Sequence, residues 1–377
     1  MHRYKVPLTV AEIQGDELKN IQIAMEQGMF ATSGDYINKF EDLVASYLRN
    51  DSCVAALNSG TSCLHMALVM AGIEKGDEVL CQSFTFSASV NPIIYQGAIP
   101  VFVDSERDTW NLCPVLLETA IKDRIANGKK PKVMVVVHAY GRPAKMKEIL
   151  RIVEKYNILL VEDAAAALGS KYFDKTCGTL GDFGVVSFNG NKIITTSAGG
   201  VLITKDKKIK KHAVSLATQA RELKPHYEYN EVGYNYRMTN IAAAIGVSQM
   251  QLLDERLKER KRIYETYKSE LGRVAGISFV NEIEEVSSNH WMSCVLCSSK
   301  EHREYIRRFL EERGIESRPV WKPLHEQKVY AEYPSYVNGN AKWLFERGLM
   351  LPIGPNLTVD DQMFVIDAIK NTRPCSV

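Results

Sequence analysis

The chain of 377 residues carries 47 Lys and Arg against 45 Asp and Glu, a formal net charge of +2. With 45% hydrophobic and 24% charged residues it has an ordinary globular composition, long enough for one large domain and a smaller one. So balanced a charge gives no broad attraction to nucleic acid or an anionic membrane, although it leaves room for a local basic pocket.

The eight cysteines are Cys53, Cys63, Cys81, Cys113, Cys177, Cys294, Cys297 and Cys375, scattered without a disulfide framework. Several lie in apolar stretches, as buried thiols do. The opening MHRYKVPLTVAEIQGDE has no apolar core of the kind a secretory signal needs. No apolar run approaches the roughly 20 residues that span a bilayer. The expectation is a cytoplasmic protein in a reducing compartment, with no membrane or nucleic-acid partner.

From residue 50 to 210, apolar runs of strand length alternate with helical patterns. Strands are predicted at 54–57, 78–81, 100–104, 133–138, 158–163, 185–188 and 199–204. Helices are predicted at 61–72, 87–96 and 144–157. Unbroken β-branched runs such as VMVVV suit strands buried on both faces, and the alternation predicts a mostly parallel α/β sheet. Residues 239–271 read as one long helix, apolar first and charged later, leading into a smaller α+β unit. The expected division is 1–255 and 256–377.

Three segments carry chemistry. Asn58-Ser59-Gly60-Thr61-Ser62 joins a strand to a helix; it reads either as a capped turn or as a phosphate cradle at a helix N-terminus. Glu162-Asp163-Ala164-Ala165-Ala166 closes an apolar strand, where a parallel sheet places its ligands. An acid there either forms a structural ion pair or faces a cationic ring nitrogen. Ser187-Phe188-Asn189-Gly190-Asn191-Lys192 puts a lysine among small residues between two apolar strands. It is either a solvated charge or a partly buried amine able to attack an aldehyde. In chain order these supply a phosphate turn, an acid, then a Ser and a Lys. Together they match what a pyridoxal 5′-phosphate (PLP) site requires.

At this point the chain resembles the DegT/StrS family of sugar aminotransferases. NSGTSCLHMAL, QSFTFSAS, VFVDSERDTWN, VEDAAAALGS, GDFGVVSFNGNKIITTSAGG, TQARE and GYNYRMTNIAAAIGVSQM look like its signatures in its order, continued by ESRPVWKPLHEQ and LPIG. NGNKIITTS, TQARE and RPVWKPLH are most similar to the branch that aminates UDP-linked 4-keto-6-deoxy-N-acetyl sugars. The resemblance implies PLP fold-type I and a homodimer with shared active sites. It implies L-glutamate as amino donor and a nucleotide-linked keto sugar as acceptor; GDP- or dTDP-linked sugars are alternatives.

Position by position, Lys192 matches the Schiff-base lysine and Asp163 the partner of the pyridine nitrogen. Ser59, Gly60, Thr61 and Ser62 match the phosphate turn, and Ser187 its added hydroxyl. Phe86 matches the aromatic on the ring, although a plain core aromatic has the same spacing. Asn235 matches an asparagine that reaches the neighbouring subunit's phosphate. Arg221, His226, Tyr227, Arg237, Arg318, Trp321, Lys322 and His325 are candidates for the nucleotide sugar, and equally for surface or interface positions. The branch carries Glu, Gln or His where this chain has Ala166, a position beside cofactor or substrate that bears on activity and substrate choice.

Rival readings have less to rest on. The related sugar dehydratases carry His in place of Lys192. A non-catalytic regulator of the same fold that senses PLP or a sugar gains slight support from Ala166, and the intact Lys192, Asp163 and Ser187 weigh against it. No GxGxxG follows a strand. Cys294-Val295-Leu296-Cys297 lacks a second ligand pair, so no metal is expected. His138 closes a strand and is either a site residue or a satisfied structural histidine.

Overall fold

A computed structural model describes residues 4–49, 51–281 and 283–372. The seven long apolar runs all form strands: β1 (Cys53–Leu57), β2 (Glu78–Gln82), β3 (Ile99–Val103), β4 (Val133–Val137), β5 (Leu159–Asp163), β6 (Phe183–Ser187) and β7 (Gly200–Thr204). With the short strand Ser335–Tyr336 they make one eight-stranded sheet, ordered β1, β7, β6, β5, β4, β2, β3, then 335–336. Only β7 runs against its neighbours β1 and β6; the other pairings are parallel. Strand residues alternate between faces. Val133, Val135 and Val161 pack on one side with helix Gly60–Met70. Met134, Val136 and Leu160 pack on the other, against helices Pro114–Ala126 and Met146–Tyr156. Both faces are covered, which is why the sequence shows unbroken hydrophobic runs rather than alternation.

The predicted helix at 87–96 is divided. A single turn, Ser87–Ser89, precedes a short helix, Asn91–Tyr95, with Pro92 in its first turn. Proline has no N–H to give to a preceding turn and disfavours helical backbone just before it, so the ladder breaks there. The predicted helix at 239–271 is likewise two, Asn240–Gln251 and Leu253–Leu271, parted at Leu252. The first is buried among helices Glu17–Glu26 and Asp35–Leu48, while the second packs against Val359–Lys370. Two packing partners in two directions outweigh the continuity of the sequence pattern.

The C-terminal part builds an antiparallel sheet ordered Ile277–Ser278, Ser293–Cys297, Gly348–Leu351, Arg318–Pro319. Helix Lys300–Glu311 packs on it. The proposed division at residue 255 falls in the first turn of helix Leu253–Leu271. Two segments cross it: Val6 bridges to Ile315, and Ser335–Tyr336 pairs with β3. Cys294 and Cys297 are buried in one strand, each thiol pushed up to about 12 by burial. Among the described residues no cluster suits a metal ion, and no helix is long and apolar enough to cross a membrane. Cys375 lies outside the described residues.

Phe40, on helix Asp35–Leu48, meets Phe188 edge-on with centroids 5.0 Å apart, both fully buried. Gly246 lets the neighbouring helix close on that ring, since a Cβ there would lie 2.6 Å from Phe40 Cε2. Phe40→Ala therefore empties the space behind the loop that carries Lys192. It is expected to cost about 3–5 kcal/mol, measured by chemical denaturation of the apo-protein.

Candidate active site

A cavity of about 400 Å³ opens at the carboxyl ends of β4, β5 and β6. Its wall draws Ser59, Gly60 and Thr61 from the turn after β1, and Asp163, Ala165 and Ala166 from the end of β5. Ser187 and Lys192 come from the segment after β6, and Phe86 and Ser89 from the segment after β2. The three stretches singled out in the sequence thus converge on one space.

The turn after β1 starts an eleven-residue helix. Ser59 is its N-cap, its hydroxyl accepting from the Ser62 N–H at 3.0 Å. Gly60 and Thr61 occupy the first two helical positions, where N–H groups lack an intrahelical acceptor and the helix dipole favours an anion. Gly60 is required by close approach: a Cβ there would stand 2.9 Å from Ser187 Cβ. Glycine therefore brings the Ser187 hydroxyl beside the helix start, a set of donors that suits a phosphate. Ser62 serves the turn instead. Its hydroxyl donates to Asn58 Oδ1 at 2.5 Å and its side chain is buried outside the cavity wall.

Adjacent carboxylates on β5 point to opposite sides, as strand geometry demands. Glu162 is fully buried away from the cavity. It accepts from the N–H groups of Gly178, Leu180 and Gly181 and pairs with His138 Nε2 at 2.9 Å. His138 Nδ1 accepts from the Ala144 N–H at 3.1 Å, so this histidine is the satisfied structural one. Asp163 faces the cavity and is only 4% exposed. Its Oδ1 accepts from the Ala165 N–H at 3.0 Å and its Oδ2 from the Ser89 hydroxyl at 2.6 Å.

Lys192 sits in the loop between β6 and β7. Its N–H donates to the Asn189 carbonyl at 3.0 Å, and Trp291 Nε1 donates to the Asn191 carbonyl at 2.8 Å. Its Nζ lies 4.2 Å from the Trp291 ring centroid. Burial pushes the Lys192 ammonium down to about 8, the Asp163 charge pulling the other way. The free amine present near neutral pH is then on the order of a hundredfold more than for a solvated lysine.

A phosphate cradle, a sheltered carboxylate and a partly deprotonated amine around one cavity are the equipment of aldehyde-cofactor chemistry. The sequence profile of the DegT/DnrJ/EryC1/StrS aminotransferase family matches residues 11–370. The chain belongs to that family.

EpsN of Bacillus subtilis, whose name is that of a pyridoxal phosphate-dependent aminotransferase, is 41% identical over 373 residues, covering 98% of this chain and 96% of EpsN. GDP-perosamine synthase of Escherichia coli O157:H7 is 34% identical over 366 residues, 97% of each chain. The PLP-form structure of Spr1654 from Streptococcus pneumoniae, named for sugar aminotransferase activity, superposes with a TM-score of 0.90 at 26% identity, covering 97% of this chain and 98% of that one. The fold is accordingly fold-type I. The cavity fits PLP, the cofactor of this aminotransferase family, by the chemistry of its donors. The helix start with Thr61 and Ser187 suits the phosphate, Asp163 suits a protonated pyridine nitrogen, and Lys192 suits the aldehyde.

Of the aminotransferase's other expected residues, Phe86, Ala166, Arg318 and Trp321 also line the cavity. Phe86 is 61% exposed, so it is no core aromatic. Arg318 is held by Glu316, which accepts from its Nε at 2.9 Å. Trp321 stacks on Tyr140 with centroids 4.1 Å apart. The remaining candidates lie outside the wall of this chain's cavity. Arg237 is buried in an ion pair with Glu41 and donates to the Ala56 carbonyl, a structural duty. His325 Nδ1 bonds the Ser83 hydroxyl at 2.6 Å, and burial holds its imidazole below the usual range. Arg221 lies over the Tyr227 ring, His226 pairs with Glu228, and all three of Arg221, His226 and Tyr227 are exposed. Asn235 and Lys322 are exposed as well.

Sequence reasoning missed Ser89, Trp291, Met292 and Met350 in the wall. Ser89 stood within the quoted QSFTFSAS segment and its hydroxyl was the available signal. Trp291 reaches the site only through the packing of the C-terminal unit.

Because only the neutral amine attacks an aldehyde, the apo-protein's rate of PLP capture is expected to rise with pH through about 8 and then level off. Growth of visible absorbance after mixing measures it. A midpoint near the ordinary lysine value of about 10.4 would show that burial does not tune this amine.

Proposed function

We propose that the protein moves an amino group from L-glutamate to C4 of a UDP-linked 4-keto-6-deoxy-N-acetyl sugar for surface glycan or glycoprotein sugar biosynthesis. In this reading it is a cytoplasmic homodimer with shared active sites. The observation that carries it is the convergence of Lys192, Asp163 and the Gly60–Thr61 helix start on one cavity.

When bound, PLP supplies an electrophilic carbon for amines and a ring that takes up electron density. The protein's part is positional and protonic. Lys192 would hold the cofactor through its free amine, and when displaced that amine would be placed as the base for the donor's Cα proton and as the acid toward the cofactor carbon on the other side of the donor's nitrogen. Asp163 keeps a positive charge on the ring nitrogen favourable. Phe86 offers a flat face, and Ser187, Thr61 and the helix N–H groups hold the phosphate. Arg318 is a guanidinium in the wall suited to a carboxylate or diphosphate, which bind arginine in bidentate fashion. Donor and acceptor use the site in turn, so ping-pong kinetics follow.

The dimer is supported by exposed apolar side chains on one segment, Leu223, Tyr227, Tyr229 and Val232, with Asn235 just beyond. Its exposure outside the wall of its own cavity supports a role for Asn235 toward a neighbouring subunit. The UDP sugar rests on the likeness of NGNKIITTS and RPVWKPLH to that branch. A GDP-linked sugar is the alternative reading, favoured by the similarity to GDP-perosamine synthase.

Glutamate-dependent amination of UDP- and GDP-linked 4-keto-6-deoxy sugars, followed by mass spectrometry, is expected to give product with the UDP N-acetyl sugar. Turnover of the GDP sugar alone would replace the UDP reading with the GDP one. Lys192→Ala is expected to lower turnover by at least about a thousandfold while the protein still folds. Borohydride reduction of the parent protein with PLP is expected to mark Lys192, and a label on another lysine would overturn its role.

A further inference from the structure

Asp163 is tied at both oxygens, and the direction of each bond can be deduced. The Ser89 hydroxyl stands 2.6 Å from Oδ2, and an ionised carboxylate only accepts, so Ser89 donates its single proton there. Ser89 Oγ also lies 2.7 Å from Thr85 Oγ1. With the Ser89 proton already committed, that other bond must be made by the Thr85 proton. The result is a one-way relay, Thr85 to Ser89 to Asp163. Thr85 and Ser89 are 2% and 3% exposed, so water does not substitute for either. The same short segment carries Phe86, and Thr85, Phe86, Ser89 and Asp163 all line the cavity.

We propose that Ser89, with Thr85 behind it, is a positioning residue that orients the Asp163 carboxylate toward the cofactor's ring nitrogen. The proposal rests on the aminotransferase reading above. Its physical content is specific. The backbone N–H of Ala165 fixes Oδ1 and the relay fixes Oδ2, so the carboxylate plane cannot swing about its last bond. A donor to the anion also favours its charged form, and that charge keeps the ring nitrogen protonated. Thr85 also lines the cavity but does not touch the carboxylate; toward Asp163 it acts by polarising and aiming the Ser89 hydroxyl.

The test is a double-mutant cycle of Ser89→Ala and Thr85→Val, read first by the dissociation constant for PLP of the apo-protein. The other readout is the pH midpoint of the visible band of the PLP-loaded protein. Ser89→Ala is expected to weaken PLP binding about tenfold, the loss of one hydrogen bond to a charged group. It should raise the pH midpoint, because a ring nitrogen held less firmly as a cation leaves the attached Lys192 nitrogen more basic. Thr85→Val is expected to weaken binding about two- to threefold, a share of a polarised chain. In the pH midpoint the double variant should match Ser89→Ala, since Thr85 reaches Asp163 only through Ser89. Thermal melting of the apo-proteins controls for folding. If Ser89→Ala does not fold, the nearly isosteric Thr85→Val carries the test alone through its binding and pH readouts. Unchanged affinity and midpoint in the folded variants overturn the proposal, as does a double variant whose midpoint shift equals the sum of the singles. Parent protein that gains no visible band with PLP overturns the aminotransferase reading itself, a separate outcome.

Discussion

The structure depends on a carboxylate kept almost out of water at the end of a central strand. A buried charge of this kind is costly unless its lone pairs are matched by donors. β5 solves this twice over, once on each side. Glu162 is matched by three backbone N–H groups and His138, which pins the glycine-rich turn before β6 to the sheet. Asp163 is matched by Ala165 and Ser89 but keeps a face toward the cavity. Two neighbouring acids thus receive opposite duties from the alternation of a single strand. One fixes the scaffold on which Ser187 and Lys192 are carried, and the other faces the chemistry.

Lys192 is tuned by the same setting. Desolvation lowers its affinity for a proton, while Asp163 across the cavity raises it, and desolvation prevails. The aromatic side of the cavity contributes by excluding water. Trp291 lies under the amine and ties the lysine loop through the Asn191 carbonyl, and Trp291, Trp321 and Tyr140 form one cluster, Tyr140 stacking on Trp321 at 4.1 Å and the two tryptophans 6.2 Å apart. Trp291 lies just before strand Ser293–Cys297 and Trp321 just after Arg318–Pro319, whereas Tyr140 follows β4 of the large sheet. The reactivity of one lysine therefore depends on how the two parts of the chain close on each other.

This division explains what was legible in the sequence. Apolar runs marked all seven strands because burial on both faces is written into each run separately. The turn after β1, the acid of β5 and the lysine after β6 were legible because a strand end is a fixed address in a parallel sheet. The break at Leu252 was not, because it comes from two packing partners that a local pattern does not contain. Nor was Arg237, whose charge seemed available until Glu41, far away in the chain, claimed it. Trp291 and Ser89 escaped for different reasons. Tertiary packing brings in the tryptophan, whereas the serine resembles any small polar residue until its partner is known.

Ala166 stands where the resemblance implies a Glu, Gln or His. Its backbone is not free to adjust: Asn289 Nδ2 donates to the Ala166 carbonyl at 2.9 Å and to Leu168 at 2.8 Å, while Asn289 Oδ1 accepts from Trp291. Gly141 permits this clamp, since a Cβ on it would fall 1.8 Å from Asn289 Oδ1. The backbone that would carry a polar group is thus rigidly in place, and only the side chain differs. Beside Asp163 the wall presents two alanines, 165 and 166, in the cavity lining. A methyl group meets these two side chains without loss, whereas a hydroxyl left unpaired against them bears its full desolvation cost. At this position the chain therefore presents a methyl side chain on a backbone whose carbonyl Asn289 holds in place, with Ser187 and Lys192 the polar residues that share its pocket.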